Sequence, residues 1–363
     1  MRLALQIMLS ILIFVMASIC EGSDERMITF YTASDASAAI AISKDFAIIA
    51  DDENNILRMY NLTGGQPVYS YDLTKFLQVE QEHPESDIEG AALVNKRIYW
   101  ITSHGRNTDG KLRPNRYRFF ATDFEINDLN VTVKPAGKFY DKLVHAMLTD
   151  DNLQGLGLYE AAMIGAKLTK KDLKKLAPKE DGLNIEALCA SADNNTLYIG
   201  LRNPRPVDRA TGRPRALVIP LKNADDIVDK EALPVFGKPI LWDLAGLGIR
   251  SMEFSPFHKS YFIIAGSSKE SGPFALYRWS GDINDAPRLV KDLNLDDFSP
   301  ESLVPFTDSS KLLLISDDGT LPVTIADPNE CYPGELNANG TCPNKFLFDS
   351  SKKTFRALWL DIP

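Results

Sequence analysis

An all-β fold is predicted for this 363-residue chain by three features of its sequence. The first is a phrase that recurs four times, never identically. Asp87-Ile88-Glu89-Gly90 leads into the strand-like run 97–102 and stops at Ser103-His104-Gly105-Arg106. Asn184-Ile185-Glu186-Ala187 leads into 196–200 and stops at Leu201-Arg202-Asn203-Pro204. Gly248-Ile249-Arg250-Ser251 leads into 261–264, and Pro300-Glu301-Ser302-Leu303 leads into 311–315 and stops at Ser316-Asp317-Asp318-Gly319. A weaker fifth copy, 38–41 then 46–49, stops at Ala50-Asp51-Asp52-Glu53 and lacks the acidic residue of the phrase. The second feature is the set of short apolar runs bounded by Gly, Pro, Asn and Asp, and the third is a strand-like run at each end of the domain. Strand pairs closed by polar corners and repeated in this way are the signature of a β-propeller. Five blades are expected, with a short helical insertion and a disulfide-closed loop. Six blades is the alternative if the insertion hides strands.

Residues 1–22 read as an export signal: Arg2 supplies the positive charge, residues 3–16 are almost continuously apolar, and Ala17, Ser18 and Gly22 are small. The apolar run is short for a membrane span, so no stable span is expected once the signal is removed. A secreted or periplasmic location follows, with a lipid anchor through Cys20 as the alternative; Ile19 stands where such anchors want Gly or Ala. Residues 23–363 are expected to form one propeller domain. In the second unit the third strand is placed at 117–122 and the fourth near 131–133. In the third unit the third strand is 216–221, and in the fourth the outer pair is 274–279 and 288–290. Residues 137–181 carry a helical period, with Leu168, Leu173 and Leu176 on one face, and are expected as an insertion on the rim between the second and third blades. Cys331 and Cys342 bracket a turn-rich stretch, so a disulfide is expected to close a loop within 327–345. Cys189 reads as a buried, inert thiol. Pairing the runs 28–31 and 355–360 in one blade would close the ring and remove free edges.

A net charge of −9 and a pI near 5.1 argue against general nucleic-acid binding. The four histidines, His83, His104, His145 and His258, share no metal-ligand spacing, which counts against a zinc or copper centre. Signatures of zinc proteases, serine-hydrolase elbows, phosphate loops and dinucleotide sites are missing from the sequence.

In a propeller the innermost strands line a central channel. Glu89, Glu186 and Glu301, with Arg250 in the same slot and Asp87 beside the first, should therefore converge. Converging carboxylates repel, and the offset must come from Arg250, from shared protons, or from a hard cation such as Ca²⁺ bound by Asp87, Glu89, Glu186 and Glu301. The purely structural reading is that these residues bond backbone amides and tie blades together. A second constellation lies at the strand-end loops: Arg106, Arg113 and Arg116, then Arg202, Arg205, Arg209, Arg213 and Arg215. With Arg250, the first five are candidates for gripping carboxylate, sulfate or phosphate groups. The structural reading pairs them with Asp51, Asp52, Glu53, Asp317 and Asp318. His104 is the best single candidate for proton transfer, with Glu89 and Glu186 as its acidic partners.

The phrases around 86–90, 103–116, 182–188, 200–204, 246–251 and 272–279 resemble an uncharacterised bacterial family catalogued as a domain of unknown function (thirty-six-sixteen) over roughly residues 35–320. That resemblance implies export and a propeller-like fold, and no established activity. More distantly, the acidic strand starts are similar to those of esterase-like phytases and calcium-activated apyrases, which implies channel-ligand roles for Glu89, Glu186 and Glu301. Arg250 and the missing acid of the first unit depart from a symmetric calcium ring. Two readings follow. One is a monomeric exported binding propeller that holds an anionic small molecule or saccharide on its channel face. The other is a hydrolase, calcium-dependent in one version, acting on phosphate esters or acidic saccharides. An enzyme should show an asymmetric polar pocket containing His104 and an acid out of salt-bridge reach; a scaffold should show every charge paired. Sequence alone leaves open whether the chain is an enzyme.

Overall fold

The computed structural model describes residues 27–127, 130–268, 272–293 and 295–362; the expected export signal and Cys20 lie outside them. After strand β1 (Met27–Tyr31), blade I consists of β2 (Ala36–Ala41), β3 (Phe46–Asp51), β4 (Ile56–Asn61) and β5 (Tyr69–Asp72), followed by the one-turn helix α1 (Thr74–Leu77). Blade II consists of β6 (Ile88–Val94), β7 (Arg97–Thr102), β8 (Phe119–Asn127) and β9 (Asn130–Tyr140). The insertion supplies α2 (Leu143–Thr149), α3 (Leu158–Ala162) and α4 (Lys170–Lys175). Blade III consists of β10 (Asn184–Ala190), β11 (Leu197–Asn203), β12 (Ala216–Leu221), the helix α5 (Ala224–Lys230) and β13 (Ile240–Trp242). Blade IV consists of β14 (Gly248–Ser255), β15 (Ser260–Gly266), β16 (Phe274–Trp279) and β17 (Arg288–Asp292). Next come β18 (Pro300–Pro305), β19 (Lys311–Ser316), a ribbon of β20 (Pro322–Thr324) and β21 (Thr341–Pro343), and β22 (Thr354–Asp361).

Blade V has the order β18-β19-β22-β1, so the chain's first described strand is the outermost strand of the last blade. The inner strands β2, β6, β10, β14 and β18 contact one another in turn, and β18 returns to β2. The protein is a closed five-bladed β-propeller, as the sequence predicts.

Its core is divided into layers, one between each pair of neighbouring blades. Ile48, Trp100 and Phe120 fill the I/II layer; Tyr99, Phe119 and Ile199 the II/III layer; Trp242 and Trp279 the III/IV layer. Phe262 and Leu314 fill the IV/V layer, and Phe30, Tyr60 and Phe355 the V/I layer. Alternating apolar residues on each strand serve the two neighbouring layers. The II/III layer is extended by Leu143, Val144 and Met147 of α2 and by Leu158 and Ala161 of α3, which docks the insertion.

The insertion differs from the expectation in two respects. Strand β9 continues to Tyr140 through Pro135, because an outermost strand can place a proline on its unpaired edge. The helical part therefore begins later than residue 137. Helix α4 starts only at Lys170, behind a reciprocal capping box between Thr169 and Asp172. Of the three leucines expected on one face, α4 contains only Leu173, and only Leu176, just past its end, is buried, so the periodicity overstated a buried face. The Cys331–Cys342 disulfide is formed, and Cys189 is buried with its thiol pushed well up by burial. Among the described residues no helix is long and apolar enough to cross a membrane.

Ring closure rests on aromatic contacts. Phe355 is fully buried, stacks on Phe30 at 4.9 Å and meets Tyr60 edge-on at 5.4 Å. Phe355→Ala should cost about 3–5 kcal/mol, the range for emptying a buried aromatic site. Urea unfolding of wild type and variant would show it as a lower midpoint at unchanged slope.

Candidate functional site at the channel mouth

Each inner strand carries a β-bulge near its start. The residues left unpaired are Ser37, Glu89, Glu186, Arg250 and Glu301. A bulge turns its extra residue out of the ladder and re-aims it, here toward the axis. The slot recognised in the sequence is therefore a bulge position. In blade I it holds Ser37, which donates to the Ile88 carbonyl at 2.5 Å and ties blade I to blade II.

The other four bulge residues line one cavity of about 530 Å³ at the channel mouth, together with Asp35, Asp52, Asp87, Arg116, Arg202 and Asp317. The chain after α4, residues 177–180, also lines it, so the insertion overhangs the mouth as well as the rim. Two sides can be distinguished. On the blade III–V side Glu186 receives Arg202 Nη1 at 2.8 Å and Asn184 Nδ2 at 2.6 Å. Arg250 Nε lies 2.9 Å from Glu186 Oε2, an ion pair by distance rather than a directed hydrogen bond, and Arg250 also pairs with Glu301. Burial and the neighbouring Arg202 pull the Arg250 guanidinium down to about 10, against the pull of Glu186 and Glu89.

On the blade I–II side the charges are less well matched. Asp87 pairs with Arg116 at 2.9 Å and accepts the Ser103 hydroxyl. Glu53 pairs with Lys345 at 2.6 Å. Glu89 is only 9% exposed and, among the described residues, has no hydrogen bond or ion pair. Burial, Asp87 and Glu186 hold its carboxyl well above the usual range, with Arg250 and Arg202 opposing. Asp52 Oδ1 is buried without a hydrogen-bond partner, and burial with Asp35, Glu53 and Glu89 pushes this carboxyl well up too. One carboxylate oxygen each from Asp52, Asp87 and Glu89 lies within 4.8 Å of the others, and so does one each from Asp35, Asp52 and Glu53. Asp35 fits only because residue 319 is glycine; a Cβ there would fall 1.8 Å from Asp35 Oδ1.

The remaining sequence candidates are placed elsewhere. His104 is fully buried outside the cavity lining, with Nδ1 2.8 Å from the Thr102 carbonyl and its ring edge-on to Tyr117 at 5.6 Å. Burial draws its pKa down from 6.5 to about 4. Arg106 is spent on the Ala162, Met163 and Gly110 carbonyls, clamping α3 to the strand-end loop. Arg113 bonds the neighbouring Leu112 carbonyl and does not reach the cavity. Arg205 bonds Gly246 and Ser268 and lines a separate groove against the insertion. Of the corner acids, Asp318 pairs with Arg356 at 2.7 Å and Asp51 accepts the Ser34 and Glu53 amides. The sequence reading overlooked Asp35, and took Asp52 and Asp317 only as pairing acids. The signal for Asp52 was the acidic corner of the repeat whose own slot carries no charge.

The family described as "Protein of unknown function (DUF3616)" matches residues 129–310, and the chain belongs to it. No curated protein matches the chain. Among solved structures, the glutaminyl cyclase of Myxococcus xanthus is similar at 10% identity and a TM-score of 0.42, over 80% of this chain and 88% of that one. Virginiamycin B lyase of Staphylococcus aureus, an inactive variant with quinupristin, is similar at 9% identity and 0.40, over 92% and 99%. A putative oxidoreductase (glucose dehydrogenase) of Thermus thermophilus is similar at 11% identity and 0.39, over 92% and 100%. At such scores these similarities say nothing about activity.

Two predictions follow from the charge balance. Glu186→Gln should destabilise the protein by about 3–5 kcal/mol, because it strands buried guanidinium groups. Glu89→Gln should instead raise the melting midpoint in EDTA, because it removes a buried carboxyl that has no partner. His104 binds fewer protons folded than unfolded, so its contribution is lost as pH falls from about 6.5 through about 4. That loss amounts to roughly 3 kcal/mol. His104→Asn, which tolerates the left-handed backbone at φ 51°, should flatten stability against pH across that window in denaturant titrations.

Proposed function

We propose that the protein is a cation-dependent binding propeller. Asp52, Asp87 and Glu89 hold a hard divalent cation such as Ca²⁺ at the channel mouth, and an anionic small molecule or saccharide lies between that cation and the arginine side. The observation that carries this reading is Glu89: buried, aimed into the cavity, without a partner, and beside two further carboxylates. Hard cations prefer clustered carboxylate oxygens, and a bound cation turns their mutual repulsion into attraction. The unpartnered Asp52 Oδ1 fits the same role. A bare anion is a poorer match, since Arg116, Arg202 and Arg250 each already hold carboxylates.

This ligand set differs from the one expected from sequence. Glu186 and Glu301 serve Arg250, and Asp52 takes the place beside Asp87 and Glu89. The hydrolytic reading for phosphate esters or acidic saccharides stands second. The asymmetric cavity with its unpaired acid favours it, but His104 lies outside that cavity. The disulfide supports placing the protein in an oxidising compartment, periplasmic or extracellular.

The test is a thermal melt in EDTA, then with Ca²⁺ or Mg²⁺ restored. Ca²⁺ should raise the wild-type midpoint, by about 2.7 kcal/mol of stabilisation at a hundred times Kd. It should leave Glu89→Gln and Asp52→Asn unmoved. Equal midpoints for wild type under every cation would remove this reading.

A further inference from the structure

The opposite mouth of the channel holds a second cavity of different composition. There the ends of all five inner strands and their following turns enclose a cavity of about 480 Å³. Its walls include Ile40, Leu93, Phe254, Pro305 and Phe306, and no blade is missing from the lining. Polar turn residues, Ser43, Lys44, Asn194 and Asp308 among them, complete the lining, and one of its carboxylates is buried. Glu253 of β14 is 9% exposed and lines the cavity. Among the described residues it makes no hydrogen bond and no ion pair.

Other charged or titratable groups near this mouth do not serve it. Lys44, on the turn after β2, is held by Asp45 at 2.9 Å. Asp308, on the turn after β18, carries the same sign as Glu253. Cys189 of β10 lies near Glu253 and is buried, with its thiol pushed up. β6 contributes only Leu93. Burial alone lifts the Glu253 carboxyl well above its usual range.

A buried, unpartnered carboxyl is costly to ionise, so it is driven toward protonation when alone and ionises readily only when an opposite charge fills the space. Nothing in the fold uses Glu253. It joins no layer of the core and lies at the end of the channel away from the acidic cluster. We propose that this mouth is a binding site for a small organic ammonium ion with an apolar body, its charged head on Glu253 and its body against Leu93, Phe254 and Phe306. Both phenyl rings belong to the lining, and aromatic rings attract cations. The volume is in the range of small-molecule pockets, and apolar walls with a few placed polar groups are their usual composition.

The probe is hexylammonium, with hexanol and hexanoate as controls, titrated calorimetrically into the purified protein in EDTA at pH 7.5. Hexylammonium should bind at least tenfold more tightly than either control. Glu253→Gln should lose that tenfold preference while still folding, because the change removes a buried charge. Asp52→Asn should retain it, which separates this site from attraction of any cation to the acidic mouth. Leu93→Trp, which narrows the cavity and keeps the carboxylate, should weaken hexylammonium as well. The proposal is overturned if wild type shows no binding in the millimolar range, if hexanol matches hexylammonium, if Glu253→Gln keeps the preference, or if Asp52→Asn abolishes it.

Discussion

Strands that converge on one axis bring whatever their bulges carry into one small volume, and much of this molecule follows from that constraint. Five carboxylates in that slot would leave five buried like charges with no solvent to separate them. The chain breaks the repeat twice. Ser37 removes one charge and Arg250 reverses another. Arg250 and Arg202 then absorb Glu186 and Glu301, which leaves Glu89 alone on the side where Asp52 and Asp87 approach. The polarity of the cavity, and the position of its candidate cation site, come from where the symmetry fails.

The two ends of the channel differ because the inner strands are all oriented alike. Their starts carry the bulges and face the polar corners, so one mouth is lined by charge. Their ends bring Ile40, Leu93, Phe254, Pro305 and Phe306 together, so the other mouth mixes apolar walls with a few polar turn residues and one buried carboxylate, Glu253. The insertion adds to the asymmetry. Its last helix and the chain that follows overhang the charged mouth, while α2 and α3 are buried in the layer between blades II and III.

The blades, the closing strand pair, the disulfide and the shared slot of Glu89, Glu186, Arg250 and Glu301 were legible in the sequence because each recurs with a local pattern: strand period, turn residues, or a fixed offset in the repeated phrase. What escaped depends on geometry between repeats. His104 sits at a corner that looks exposed, yet a left-handed backbone and the Thr102 carbonyl turn its ring inward. Arg106 resembles a free cation until α3 supplies carbonyls to it. Asp52 reads as a turn residue, and only the packing of blade I against blade II brings it to Asp87 and Glu89. The fourth strand of the second unit is expected near 131–133, yet β9 runs on through Pro135, because an outermost strand tolerates a proline.

The closing blade has a consequence in time. Strand β1 is laid down before every other strand described, and its partner β22 is the last. Until β22 arrives, β1 is an unmatched edge with a hydrophobic face, and blade V has neither of its outer strands. Sequence-distant pairing of this kind carries the largest loop-closure cost in the chain and slows folding accordingly. Four blades can assemble in order as the polypeptide lengthens, but the ring stays open until the final strand is in place. Any interruption of synthesis upstream of β22 leaves an open arc with an adhesive end, the form most prone to capture another copy of itself.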